Sequence, residues 1–150
     1  MQKYTRQSRL PYTVEGLFEL VLDVERYPEF VPGWEGVRIL ERNSNTFRVA
    51  QTFAIGPLTW QFTSLATYER PTRITIRSTE QPFQHLTLDW HFRPVPDGCI
   101  IELDVMCTFR AASLDRWSKS MTPIMSDGII TAFERRAHHQ LGRDPAINEN

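Results

Sequence analysis

His85, Thr87, Asp89 and His91 recur at alternate positions. A strand places such residues on one face, and two imidazoles with a carboxylate form a ligand set found in iron and zinc sites. They alternate with Leu86, Leu88 and Trp90, however, so the apolar face is the one to be buried and these four point to solvent. No metal is expected there. Gln51, Ser64 and Ser78 do the reverse and interrupt the apolar face of predicted strands. A buried polar group without a partner costs ~1–3 kcal/mol, so these three must bond to each other, to water or to a ligand's oxygen atoms. Arg135-Arg136 and His138-His139 lie near the end of a predicted helix, where the helix dipole favours cations. The same basic group could meet anionic lipid heads or ribosomal RNA. Cys99 and Cys107 are eight residues apart in one predicted strand, roughly 27 Å at ~3.4 Å per residue, too far for a disulfide. Both read as small buried hydrophobes in a reducing compartment. The sequence has no glycine-rich phosphate loop, nucleophile elbow or Cys-x-x-Cys.

The elements that must position these groups follow from periodicity. Tyr4 to Leu10 predicts a first strand ended by Pro11. Thr13 is a good N-cap for a helix whose Val14, Leu17, Phe18 and Val21 share one face. Pro28 suits the first turn of a second short helix over Tyr27–Val31, and Pro32-Gly33 stops it. From Val37 the period becomes two, and short turns such as Gly56-Pro57 and Pro96-Asp97-Gly98 separate six apolar-alternating strands. They predict an antiparallel meander with one apolar face. The last long segment must cover that face. Ser113 is a plausible N-cap, Leu114 to Leu141 the helix and Gly142 its stop. Leu114, Trp117, Met121, Met125, Gly128, Ile129 and Ala132 share an arc of roughly 120° at 100° per residue. Pro123 deprives the Lys119 carbonyl of its helical partner and predicts a kink or a break. The class is therefore α+β, a curved antiparallel sheet wrapped around a long C-terminal helix, in one domain over residues 1–143 with a disordered tail at 144–150.

A sheet bent around a helix leaves room for a cavity, the natural ligand site. Its expected walls are Phe53, Trp60, Phe62, Trp90 and Phe109 from the sheet and Trp117, Met121, Met125 and Ile129 from the helix. Core packing explains any one of them. Collectively, flexible Met121 and Met125 suit an irregular tail, and small Gly128 and Ala132 leave space opposite. Composition bounds the partners. The 150-residue chain carries 17 Lys+Arg against 18 Asp+Glu, a formal net charge of -1, which disfavours a dedicated DNA binder. No apolar run approaches the ~20 residues of a membrane span, and the N-terminus lacks a signal-type apolar core. The expected location is the cytoplasm, with visits to the inner-membrane surface.

Four segments in order resemble the coenzyme Q-binding protein family of the START-like (polyketide cyclase/dehydrase and lipid transport) superfamily, which also includes the bacterial ribosome-association toxin. They are Leu10-Pro11-Tyr12-Thr13 leading into Leu17-Phe18-Glu19-Leu20-Val21; Asp23-Val24-Glu25-Arg26-Tyr27-Pro28-Glu29-Phe30-Val31-Pro32; Pro82-Phe83 with Leu86 and Trp90-His91-Phe92; and Thr131-Ala132-Phe133-Glu134-Arg135-Arg136-Ala137. The resemblance implies a helix-grip fold and non-catalytic binding of an isoprenoid quinone such as ubiquinone, in support of respiration, as a ligand with no cofactor. It adds Phe30, Trp34, Phe83 and Phe133, with Gln51 and Ser64, to the expected ligand contacts. The toxin member implies an alternative, ribosome contact through Arg135 and Arg136, and the cyclase members a third, an enzyme. Three positions depart from the usual pattern: Gly33 intervenes before Trp34, Glu80-Gln81 replaces an Asp-Gly pair before Pro82, and Pro123 is an added proline.

Overall fold

The computed structural model describes residues 3–55 and 57–142. The expected tail at 144–150 lies outside the described residues. The first strand, β1 (Lys3–Leu10), is followed by α1 (Val14–Leu22) and a 3-10 helix, Val24–Glu29. Strands β2 (Trp34–Arg42), β3 (Thr46–Ile55), β4 (Leu58–Glu69), β5 (Arg73–Ser78), β6 (Phe83–Val95) and β7 (Gly98–Phe109) come next, and α2 (Ala112–Gln140) closes the order. All seven strands form one sheet in the order β1-β7-β6-β5-β4-β3-β2, and every neighbouring pair is antiparallel. The meander is as the alternation predicts. Its far edge is completed by β1, which pairs along its whole length with β7.

Local chemistry fixes the helical pieces. Thr13 caps α1 by accepting from the Gly16 amide, and Leu17, Phe18, Leu20 and Val21 are buried on its inner face. The second short helix begins at Val24, three residues earlier than expected, and ends at Glu29 with Pro28 inside it. A 3-10 turn needs only three residues per bond, so Asp23 can end α1 and open the next helix without a linker. Tyr27 is buried there and its hydroxyl donates to the Val21 carbonyl. Burial, reinforced by the Asp23 carboxylate, pushes the Tyr27 phenol far above its ordinary range.

The long helix departs from expectation in three ways. It starts at Ala112 with Ala111 as N-cap and no side-chain cap, not at Ser113. The Asp115 carboxylate turns back instead and accepts from the Phe109 amide at the end of β7. The helix is also unbroken at Pro123. The orphaned Lys119 carbonyl accepts the Tyr4 hydroxyl of β1 at 3.0 Å, which supplies the donor that proline lacks. Finally, the buried residues are Ser118, Thr122, Ser126, Ile129, Ile130, Ala132, Phe133 and Ala137, of which only Ile129 and Ala132 belong to the expected stripe. At 100° per residue this set is turned by roughly a quarter of a revolution from the expected stripe. Ser118, Thr122 and Ser126 can be buried because each hydroxyl donates to a carbonyl of its own helix, those of Asp115, Ser118 and Thr122. Trp117, Met121 and Met125 are displaced to the helix flank. At the far end, the Gly142 amide reaches the Ala137 carbonyl and marks the predicted stop.

The core is one cluster that joins α1, the 3-10 helix, the concave face of the sheet and the second half of α2. Helix α2 packs on β1 and β7, α1 packs on β6 and β7, and the 3-10 helix packs on β2. The middle strands therefore face α2 only through long side chains. Cavities form there.

Candidate functional site

Two adjoining chambers lie between the sheet and α2. The outer one, about 50 Å³, is lined by Trp34, Phe53, Trp60, Phe62, Phe83 and Phe109 of the sheet and by Trp117, Met121, Met125 and Ile129 of α2. The inner one, about 30 Å³, is bounded by Tyr27, Gln51, Ser64, Trp90 and Phe133 and shares Trp34, Phe62 and Ile129 with the first. Among the described residues, no Asp, Glu, His, Lys or Arg lines either chamber. Both volumes are far below the ~300–1,000 Å³ of a pocket that encloses a drug-sized ligand. The resting cavity is closed down by its own aromatic rings.

The rings are positioned by contacts that begin in the loop before β2. Gly33 has φ +93°, and a Cβ there would lie 2.5 Å from the Phe53 ring. Only glycine fits this backbone comfortably, so the residue that departs from the family pattern is what lets Trp34 lie against Phe53, ring centres 4.7 Å apart and near perpendicular. The Trp34 indole N–H then donates to Gln51 Oε1 at 2.8 Å, and Gln51 Nε2 donates to Ser64 Oγ at 2.6 Å. Thus two of the three polar interruptions satisfy one another. Ser78 is separate: its hydroxyl donates to the Thr63 carbonyl and accepts from the Glu80 amide. Farther out, Trp60 stacks on Phe53 and meets Trp117 of α2 at 6.4 Å between ring centres. That ring pair spans the gap between β4 and the helix. In the inner chamber Trp90 is 1% exposed and packs edge-on against Phe133 at 4.9 Å. Its indole N–H is the one buried side-chain N or O atom among the described residues without a hydrogen-bond partner.

The structure brings the expected wall residues together except for Phe30. That half-buried ring lines neither chamber but packs behind the inner wall, edge-on to Phe133 at 5.0 Å and beneath the Arg136 guanidinium at 4.8 Å, which also bonds the Glu29 carboxylate at 2.8 Å. The hydrogen bond from Arg136 holds the Glu29 carboxyl below its usual range. Arg136 is thereby committed, and Arg135 is the exposed member of the pair. The space opposite Gly128 is likewise external: nothing lies within 4 Å of a Cβ there, and the residue borders a surface groove with Phe30, Pro32 and Arg135. His138 is engaged by the Tyr12 hydroxyl.

Sequence reasoning missed Tyr27, Cys107 and the Ser118-Thr122-Ser126 row as cavity lining. The i, i+4 spacing of the last three was a legible signal, since hydroxyls that bond their own helix can face a core. Burial pushes the Cys107 thiol up to about 12, helped by the Asp115 charge, so it is neutral and unreactive near pH 7. Cys99 is buried, and burial raises its thiol too. On the opposite face of the sheet, Asp89, His91 and Asp104 cluster. Asp89 there is already bound by both Arg73 Nε and a terminal nitrogen, at 3.0 and 2.8 Å, and by the Thr75 hydroxyl.

A curved seven-stranded antiparallel sheet closed over its own C-terminal helix, with an aromatic cavity between them, is a helix-grip ligand-binding architecture. The chain belongs to the polyketide cyclase / dehydrase and lipid transport family, whose model matches residues 10–134. It is 29% identical over 138 residues to the ribosome association toxin RatA of Pseudomonas aeruginosa, across 91% of this chain and 96% of that protein. It is 22% identical over 152 residues to the mitochondrial coenzyme Q-binding protein COQ10 of Drosophila melanogaster, across 98% of this chain and 62% of that one. The fold is shared with a START superfamily protein from Mycobacterium smegmatis, with a TM-score of 0.81 at 17% identity over 91% of this chain and 97% of that one. No helix among the described residues is long and apolar enough to cross a membrane.

Proposed function

We propose that the chain binds an isoprenoid quinone of the ubiquinone type between sheet and α2, without altering it, and shields it from water in support of respiratory electron transport. The observation that carries this reading is the uncharged aromatic and methionine lining of the outer chamber, which continues into an inner chamber bearing Gln51 and Ser64. Each CH₂ moved from water into such a wall is worth ~0.8 kcal/mol, so one five-carbon isoprene unit could contribute roughly 3–4 kcal/mol before ordering costs. A few units suffice, and a longer tail protrudes. The similarity to a coenzyme Q-binding protein supports the same class of ligand.

Entry requires widening. Met121 and Met125 have adaptable side chains, and α2 meets the middle strands through the rings of Phe133 on Trp90 at 4.9 Å and Trp117 on Trp60 at 6.4 Å. The looser Trp60–Trp117 contact, at the outer chamber, is the one that parts. The lining supports binding over acid–base catalysis, because a cyclase-type reaction needs a proton donor or acceptor of suitable pKa at the substrate. Cys107 is too weak an acid for that role, and the Tyr27 hydroxyl is held by the Val21 carbonyl.

Organic extraction of protein purified from a quinone-producing host, followed by mass spectrometry, tests the reading. Recovery of an isoprenoid quinone near one per chain is expected; extracts with no isoprenoid, from protein that also fails to take up added quinone, would refute it.

A second reading has its own support, since the similarity to RatA spans 96% of that protein. On this reading the chain associates with ribosomes through the exposed end of α2, with Arg135 as the contact because Arg136 is occupied by Glu29 and Phe30. Cosedimentation with ribosomal subunits, lost in Arg135→Glu and kept in Arg135→Lys, is its expected result.

A further inference from the structure

Trp90 presents a buried donor with nothing to donate to. Buried polar groups are nearly always hydrogen-bonded, and an unpaired one calls for an explanation such as a water or a ligand. Packing does not require the nitrogen: Phe92 lies stacked beside Trp90 and Phe133 meets it edge-on, contacts that a plain aromatic ring would also make. Each of the other polar groups of the inner chamber already has a partner. Trp34 donates to Gln51, Gln51 donates to Ser64, and Tyr27 donates to Val21. A ligand oxygen arriving there finds in Trp90 a donor already stripped of water and without a partner of its own. That donor has no solvation shell left to lose, which favours a single well-placed acceptor.

We infer that the Trp90 indole N–H is the donor for a carbonyl oxygen on the ligand's head group, which seats in the inner chamber while the apolar tail lies along Trp60, Trp117 and Met121 in the outer one. This rests on the proposed quinone-binding reading and adds the orientation of the ligand and the group it must carry. Seating a flat ring with a hydrogen-bond acceptor at its edge requires the inner chamber of about 30 Å³ to widen between Phe62, Trp90 and Phe133. An isoprenoid hydrocarbon without oxygen fills the outer chamber only and leaves Trp90 unpaired. The Trp90 N–H therefore discriminates between oxygenated and plain isoprenoids.

The experiment is a ¹⁵N-tryptophan NMR titration of the whole chain with a short-tailed ubiquinone and, separately, with an oxygen-free isoprenoid hydrocarbon of matching tail length. The Trp90 indole resonance is assigned from Trp90→Phe or, if that variant does not fold, from contacts to Phe133 in the wild type. Quinone should move the Trp90 proton downfield as it becomes hydrogen-bonded, whereas hydrocarbon should move the Trp60 and Trp117 signals and leave it in place. Trp90→Phe should weaken quinone about fivefold to tenfold, the worth of one hydrogen bond, and leave the hydrocarbon unchanged. Quinone binding with an unmoved Trp90 signal, or an equal loss for both ligands in Trp90→Phe, overturns this inference alone. Failure of both ligands to bind overturns the binding reading together with it.

Discussion

The hydroxyl of Tyr4 on β1 donates to the carbonyl of Lys119 on α2 at 3.0 Å, at the one carbonyl that Pro123 deprives of its helical partner. A strand at the sheet edge thereby repairs the helix that roofs the cavity. Tyr4→Phe should lower stability by about 1 kcal/mol in urea unfolding. In a Pro123→Ala background, where the backbone again supplies a donor, the same substitution should cost much less. Equal costs in the two backgrounds would separate Tyr4 from the proline.

Gln51 links the half-buried Trp34 to Ser64 across β3 and β4, and Gln51 and Ser64 are themselves buried. Gln51→Leu leaves two polar groups without their partner and should cost about 2 kcal/mol. Adding Trp34→Phe and Ser64→Ala should recover part of that loss, because apolar surfaces need no partner. Urea midpoints of the single and triple variants provide the check.

Asp89 on the outer face of the sheet is subject to opposing effects. Burial raises its pKa, but hydrogen bonds from Arg73 and Thr75 outweigh burial and leave it below the ordinary 3.8. A folded-state value lower than the unfolded one stabilises the fold above the unfolded pKa, and the gain disappears as pH falls through the folded one. The gap in melting temperature between wild type and Asp89→Asn should thus be constant from pH 7 to about pH 5 and narrow below 3.8. A gap that persists at pH 2 would show that the carboxylate charge is not its source.

Cys107 borders the outer chamber, with its thiol pushed up to about 12 from an ordinary 9.0. At pH 8 its thiolate fraction is lowered roughly a thousandfold. Alkylation by iodoacetamide at pH 8 should accordingly be slower by a comparable factor than for a cysteine peptide, and slower still once quinone is bound. Because Cys107 also borders a surface groove with His85 and Lys119, modification at the peptide's rate would mean that the thiol is not shielded on one side or the other.

Much of this was legible in the sequence. Alternation in β3 to β7 placed Phe53, Phe62, Trp90 and Phe109 on the concave face because a strand has only two faces. The pairing of β1 with β7 joins residues about a hundred positions apart, and no local pattern encodes it. The helix was harder to orient. Its hydrophobic residues are spread around much of the circumference, and the buried row Ser118-Thr122-Ser126 is polar by composition, so periodicity pointed about a quarter-turn away. Of the kink or break that Pro123 predicts, the break does not occur, and the hydroxyl that serves the orphaned Lys119 carbonyl comes from the other end of the chain, where no local pattern shows it. Phe30, an expected ligand contact, lines neither chamber but packs edge-on behind Phe133 at 5.0 Å, under the Arg136 guanidinium. The closed state of the cavity was beyond any sequence pattern, because it depends on how the rings of Trp34, Phe53, Trp60 and Trp117 settle against each other.

On the proposed reading, the space between sheet and α2, nearly shut at rest, opens at Trp60 and Trp117 to take an amphipathic isoprenoid. Calorimetric titration with a short-tailed ubiquinone at several temperatures tests it most directly. Saturable one-to-one binding is expected, with a negative heat-capacity change, the mark of apolar surface leaving water, and weaker binding when Met125→Lys puts a charge in the wall. Absence of binding heat at every temperature, together with an unshifted melting point in excess quinone, would contradict it.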